Sequence, residues 1–187
     1  MDLSKYRWHK NGITLRPAMA DDWEHFYNNY FDSETRFLFY TEAEWPENRE
    51  TARERFGKFI VSLKEKGGMS FACENDDGDV IGSLDLYAVD MRNGTFQIAV
   101  MVSKEHRGKG YAKKMLDILL EYCFCELRLN KYNARVVASN AASKQLHLSL
   151  GCTLEGIHRE MYFHDGRYVD EYFFGLTADE WLARNFR

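Results

Sequence analysis

The sequence predicts an α/β (α+β) fold: a mixed, mostly antiparallel central sheet of about seven strands, with helices on both faces. Two observations lead to this fold class. Strand-like and helix-like segments follow one another in the order β-α-α-β-β-β-α-β-α-β-β. Short turn sequences join several strands directly, which favours antiparallel hairpins, while helices separate other strands and make the sheet mixed.

The first part of the chain predicts one strand and two helices. Residues 13–16 are an apolar strand that Pro17 stops, and a helix follows over about residues 21–30. The aromatic residues of the segment 31–46 follow no regular period, so this segment is predicted to be irregular. A second, charged helix covers residues 47–66.

The remainder of the chain supplies the other strands and three more helices. Strands are predicted over residues 69–74, 80–89 and 95–102, with the turns Asn75-Asp76-Asp77-Gly78 and Arg92-Asn93-Gly94 between them. A helix over residues 108–126, a strand over 132–138 and a short helix over 140–150 follow. Two long strands, 153–163 and 168–176, flank the turn His164-Asp165-Gly166, and a short helix ends the chain.

Composition limits the possible functions. With 187 residues, of which 45% are hydrophobic, the chain suits a single domain over residues 1–187, with its core at about 13–181. A net charge of −4 argues against a nucleic-acid partner, and the apolar runs are shorter than a membrane span. The four cysteines have neither a secreted disulfide pattern nor zinc-ligand spacing, so we expect a cytoplasmic protein without a metal.

The segment between the strand 95–102 and the next helix predicts an anion-binding site. It reads Ser103-Lys104-Glu105-His106-Arg107-Gly108-Lys109-Gly110-Tyr111-Ala112. The glycines let the main chain approach a phosphate, and the N–H groups and positive dipole end of the helix converge there. The P-loop pattern fails because Tyr111 follows Gly110 where lysine is required, and the dinucleotide fingerprint fails at Lys113. The sequence therefore predicts a diphosphate cradle of another type.

Three motifs in order give the chain a family resemblance. They are Glu105-His106-Arg107-Gly108-Lys109-Gly110, then Asn140-Ala141-Ala142-Ser143 with Leu150-Gly151-Cys152, and last Asp165-Gly166-Arg167-Tyr168-Val169-Asp170. From residue 13 to about residue 181 the chain resembles the GNAT superfamily of acyl-CoA-dependent N-acetyltransferases. It is most similar to the branch that contains the ribosomal-protein N-terminal (alanine) acetyltransferases.

The resemblance implies acetyl-CoA as co-substrate and assigns residues to it. The backbone at Met101 and Val102 would meet the pantetheine amides. Asn140 would bind the pantetheine arm or its thioester end, and Ser143 would assist nearby. The diphosphate would be held by Arg107, Gly108, Lys109, Gly110, Tyr111 and Ala112. Glu105 and Cys152 depart from the usual Gln/Arg and aromatic residue of the family at their positions.

The resemblance also implies direct attack of an amine on the thioester in a ternary complex. His147 stands where many relatives carry a tyrosine acid, so it is a candidate general acid; the alternative is a helix residue that faces the sheet or solvent. Gln97 replaces the usual strand glutamate, which leaves Asp85 as the candidate base. A solvated strand carboxylate is the alternative for Asp85, and an α-amino group needs no enzymatic base at all.

The acceptor is not identified by these motifs. A protein N-terminus and a small-molecule amine both remain open, and the aromatic segments 31–45 and 162–172 are the expected recognition regions. The alternative function is a non-catalytic acyl-CoA-binding protein that keeps the cradle. A monomer and a homodimer are both compatible with the sequence.

Overall fold

The chain folds around one eight-stranded sheet with helices on both faces. A computed structural model describes residues 3, 5–42 and 45–185. Within them the strands are β1 His9–Lys10, β2 Ile13–Pro17, β3 Met69–Asn75, β4 Val80–Asp90, β5 Thr95–Val102, β6 Lys131–Val137, β7 Thr153–His164 and β8 Arg167–Thr177. The helices are α1 Trp23–Tyr27, α2 Ser33–Tyr40, α3 Arg49–Glu65, α4 Tyr111–Glu121, α5 Ala141–Leu150 and α6 Ala178–Asn185.

The sheet is antiparallel except at its centre. The spatial order is β1-β2-β3-β4-β5-β6-β8-β7, and β5 pairs with β6 in the parallel sense. That pairing covers only residues 95–97 against residues 131–133, so the two strands separate beyond it. The predicted fold class is confirmed. The eighth strand is the two-residue β1, which is too short to leave a sequence pattern.

Different helices cover the two faces of the sheet. Leu84, Phe96 and Ile98 face α4 and belong to a large apolar core with Met115 and Leu119. Since side chains alternate along a strand, the neighbouring residues of β4 and β5 face the opposite side, which α1, α2 and α3 cover. Asp85, the candidate base, lies on that second face.

The structure corrects the prediction for the segment 31–46. Residues 33–40 form α2, whose N-cap is Asp32; the Asp32 side chain accepts a hydrogen bond from the backbone N–H of Thr35. Residues 43 and 44 of this segment lie outside the described residues. The helix was missed because its four aromatic or apolar residues, 37–40, are consecutive, so they show no helical period.

In the described parts of the chain, no helix is both long and apolar enough to cross a membrane. The same residues contain no group of three or more histidine, cysteine, aspartate or glutamate side chains placed to hold a metal ion.

Candidate active site

The segment predicted to be the diphosphate cradle lies where β5 passes into α4. Gly108 and Gly110 have φ angles of 75° and 77°, a region that L-residues with a side chain rarely adopt. A Cβ atom at either glycine would meet no other atom within 4 Å, so open space lies in front of both. Gly110 is the N-cap of α4 and no side chain caps the helix, so its first N–H groups remain available to an anion.

Three basic side chains around the cradle have partners elsewhere. Arg107 donates from Nε to the Val102 carbonyl at 3.0 Å and from Nη2 to Thr35 Oγ1 at 3.0 Å. Lys113 forms an ion pair with Asp117, and Lys114 donates to a backbone carbonyl of the β1–β2 turn. An anion at this turn would therefore meet backbone N–H groups more than these paired charges. The Val102 carbonyl is already engaged by Arg107.

Asn140 and Ser143 lie together at the start of α5. Asn140 is the N-cap of this helix, and its Oδ1 accepts a hydrogen bond from the Ser143 N–H at 2.9 Å. Both residues follow the end of β6, beyond the point where β6 has separated from β5. A pantetheine arm that entered between these strands would pass this helix start, so the predicted roles of both residues remain compatible with the geometry.

His147 is held inside the protein by both ring nitrogens. Nδ1 lies 2.7 Å from the Ser143 carbonyl oxygen, and Nε2 lies 3.0 Å from the hydroxyl of Tyr132. Burial lowers the pKa of the imidazole, and only 4% of the residue is exposed. The predicted general acid is not supported by this arrangement, because a ring so held has no proton directed at a departing thiolate. The alternative, a helix residue that faces the sheet, describes His147 better.

Asp85 is buried at the floor of a cavity. The residue is 7% exposed, so the alternative of a solvated strand carboxylate is wrong. Its Oδ1 accepts a hydrogen bond from Ser70 Oγ at 2.6 Å, and Oδ2 accepts none from any described residue. Burial raises the pKa of the carboxyl to about 6, against a smaller opposite effect of the Ser70 hydrogen bond.

The cavity above Asp85 has a polar floor and aromatic walls. Its volume is about 50 Å³, and Ser70, Ser83 and Met101 lie on the sheet side with Asp85. The walls are seven aromatic side chains from α1, α2 and α3: Trp23, Phe26, Tyr27, Phe39, Tyr40, Phe56 and Phe59. We call this space the inner cavity. It lies on β4, directly beside β5, since Asp85 pairs with Ala99 in the sheet.

A wider opening adjoins the inner cavity. This outer groove has a volume of about 360 Å³ and shares Tyr40 and Arg55 with the inner cavity. Trp45, Pro46 and Thr51 are among its other lining residues. Because they share these two side chains, the outer groove is the neighbouring opening on the surface nearest to the inner cavity's Tyr40 and Arg55 wall.

Comparison with known proteins identifies the family. A family model described as "Acetyltransferase (GNAT) domain" matches residues 13–153, most of the chain. The chain belongs to the GNAT acetyltransferase family. The predicted GNAT resemblance and enzyme class, an acetyl-CoA-dependent N-acetyltransferase, are thereby confirmed.

The relatives of this GNAT acetyltransferase include bacterial acetyltransferases that act on amines and uncharacterized N-acetyltransferases. The SPbeta prophage-derived uncharacterized N-acetyltransferase YokL of Bacillus subtilis is 31% identical, over 92% of this chain and 94% of the relative. Spermidine N(1)-acetyltransferase of Vibrio cholerae is 25% identical, over 92% and 97%. These relatives do not bear on the finer assignment to the ribosomal-protein branch, which stays a prediction.

Solved structures show the same fold. The crystal structure of spermidine N-acetyltransferase from Vibrio cholerae in complex with CoA and spermine superposes with a TM-score of 0.80 at 21% identity, and covers 92% of this chain and 99% of that one. At 21% sequence identity this superposition shows that the two proteins share a fold, and no more than that.

The sequence pointed to Asp85 but missed the walls of its cavity. The alternation of β4 placed Asp85 and Ser83 on one face, which the structure also shows. The helices that cover this face are distant in sequence, so their aromatic residues could be recognised only as core or groove candidates. Ser70 carried no signal, because its contact with Asp85 depends on the register between β3 and β4.

Proposed function

We propose that this GNAT acetyltransferase transfers the acetyl group of acetyl-CoA directly to the primary amine of a small molecule, with Asp85 as the residue that binds and deprotonates the amine. The buried, half-satisfied carboxylate of Asp85 at the floor of an aromatic cavity carries this proposal. A buried carboxylate is costly unless it is paired with a cation. An incoming ammonium group supplies that cation.

The walls of the inner cavity favour the same ligand. Aromatic faces attract cations, and the Arg49 guanidinium already lies 5.0 Å from the centre of the Trp23 ring. With a pKa of about 6, Asp85 is mostly ionised at neutral pH and so attracts an ammonium group. Arg55 also lines the cavity, but its guanidinium is paired with Glu47, so the inner cavity suits an amine better than an anionic or neutral acceptor.

The reaction needs one proton removed from the ammonium group before attack. Asp85 takes this proton, and the neutral nitrogen then attacks the thioester carbonyl carbon. The C–N bond forms, the C–S bond breaks, the nitrogen gives its second proton to water, and the CoA sulfur departs as a thiolate. In this mechanism the thiolate leaves without His147.

The donor half of the reaction rests on the cradle. The open space before Gly108 and Gly110 and the uncapped start of α4 fit the diphosphate of acetyl-CoA. The gap between β5 and β6 fits the pantetheine arm, with Asn140 and Ser143 beyond it. A role as a non-catalytic acyl-CoA-binding protein is not favoured, because such a protein has no need of the buried acid at Asp85.

The names of the relatives agree with a small amine as acceptor. They include spermidine acetyltransferases and the L-amino acid N-acetyltransferase AaaT of Escherichia coli. A protein N-terminus remains the competing acceptor, and it is included in the experiment.

The test is release of free CoA thiol from acetyl-CoA against a panel of alkylamines, amino acids and short peptides. We expect turnover with at least one small amine, and we expect Asp85→Asn to lower kcat/KM for it by about a hundredfold or more. Asp77→Asn, in an exposed turn, is the matched control. Turnover with peptides alone would reject a small molecule as the acceptor. Activity of Asp85→Asn equal to that of the unmodified enzyme would reject Asp85 as the general base.

A further inference from the structure

We propose that this acetyltransferase selects amines whose nitrogen is carried by an unbranched CH₂ group. The inference rests on the proposed function, because it concerns the acceptor that reaches Asp85. It separates alkylamine ends, including a lysine side chain, from α-amino acids and protein N-termini, in which the carbon beside the nitrogen bears a further substituent in every residue except glycine.

The size of the inner cavity is the first reason. An apolar cavity of about 150 Å³ accommodates a benzene-sized group. The inner cavity, at about 50 Å³, has room for an ammonium group and its first carbon, but little beyond. A second substituent on that carbon would have to displace the wall.

The packing of the wall is the second reason. The ring centres of Phe26 and Phe56 are 5.2 Å apart, and those of Trp23 and Tyr27 are 5.7 Å apart. Phe26 and Tyr27 are themselves buried, with 6% and 7% exposure. Rings that contact each other at these distances cannot move aside without losing their own packing.

The distribution of polar groups is the third reason. Ser70, Ser83 and Asp85 all lie on the floor, which the strands supply, whereas the opposite side consists of rings, Ala52 and Arg55, whose guanidinium is paired with Glu47. A carbonyl or carboxylate branch that left the floor would meet mostly these rings. Burial of a polar group against apolar walls carries the cost of its lost hydration. Amino acids and peptides are therefore disfavoured by their chemistry as well as by their width.

The outer groove accepts the rest of the molecule. It is about seven times larger than the inner cavity, 360 Å³ against 50 Å³, and the two meet at Tyr40 and Arg55. The side chain of Arg55 is held by Glu47, with Nε 3.0 Å from Oε1. An acceptor can therefore carry bulk in the groove, provided that an unbranched end reaches Asp85.

The isomers of butylamine test this inference, because they share formula and charge. Initial rates of thiol release give kcat/KM for 1-aminobutane, for 2-methyl-1-aminopropane, which branches one carbon further away, and for 2-aminobutane, which branches at the amine carbon. We expect 2-aminobutane to be poorer than 1-aminobutane by about tenfold or more, as is usual for one extra carbon in a tight pocket. Nα-acetyl-lysine amide and alanine amide extend the comparison to lysine side chains and peptide N-termini.

Enlarging the cavity provides the matched variant. Phe56→Ala should raise the relative kcat/KM for 2-aminobutane, whereas Met91→Ala, a truncation at an exposed position of the β4–β5 turn, should leave the ratio unchanged. The ratio is measured within one protein, so a loss of stability in Phe56→Ala does not obscure it. Equal or better use of 2-aminobutane by the unmodified enzyme overturns the inference and leaves the proposed function intact. Failure to acetylate any amine overturns the proposed function as well.

Discussion

At the scale of single residues, the hydrogen-bond partners of His147 indicate a structural role for this side chain. The Ser143 carbonyl can only accept a hydrogen bond, so Nδ1 carries the proton and Nε2 accepts from the Tyr132 hydroxyl. We expect His147→Phe to leave kcat nearly unchanged and to lower the free energy of unfolding by about 1–3 kcal/mol, because the Tyr132 hydroxyl loses its buried partner. Urea denaturation and thiol release, measured on the same preparation, test both effects.

The double variant separates the two explanations for His147. In the double variant Tyr132→Phe, His147→Phe both hydrogen-bonding partners are replaced by apolar phenyl rings. No buried polar group is then left without a partner, so part of the stability should return. If His147 were instead the acid that protonates the CoA sulfur, His147→Phe would lose kcat while its stability changed little. That outcome would support His147 as the general acid.

At the scale of elements, the turn between β5 and α4 is tested by its first glycine. Gly108→Asp adds a negative charge in front of the uncapped helix, so we expect a loss of CoA affinity of at least about a hundredfold, measured by calorimetry. Gly67→Asp is a matched control, since Gly67 has a φ of 77° and equally open surroundings. Its backbone strain is therefore similar, and any shared loss of stability can be subtracted. CoA binding that is unchanged in Gly108→Asp would place the diphosphate elsewhere.

At the scale of elements, the local features of the candidate site could be predicted from the sequence, whereas its long-range contacts could not. The turn at Gly108 and Gly110 and the alternation that sets Asp85 apart from Leu84 are local, so both could be derived from neighbouring residues. The cap of α5 by Asn140 is also local, since it spans three residues. The aromatic walls of the inner cavity are not local: they come from three helices that precede β4 and fold back over it, a contact that no spacing within one segment encodes.

At the scale of the whole molecule, the site is expected to reduce the stability of the fold. In the unfolded chain an aspartate has a pKa of about 4. In the folded protein burial raises the pKa of Asp85 to about 6. The folded state therefore keeps the proton that the unfolded state releases, and the stability this provides is present below about pH 4 and is lost as the pH rises through 6. At pH 8 the ionised carboxylate costs up to about 3 kcal/mol.

Asp85→Asn should therefore be more stable than the unmodified enzyme at pH 8, by up to about 3 kcal/mol, and about equally stable at pH 4. The amide is neutral at both pH values, and its oxygen can still accept the hydrogen bond from Ser70. Denaturant unfolding at the two pH values measures the difference, and Asp77→Asn, with its exposed side chain, should show no such pH dependence. A variant that lost activity and gained stability only at high pH would connect the two, since the carboxylate that strains the fold is the group that an incoming ammonium neutralises. Equal stability of Asp85→Asn and the unmodified enzyme at pH 8 would mean that the carboxylate is already compensated without an acceptor, and the affinity for amines would then need another source.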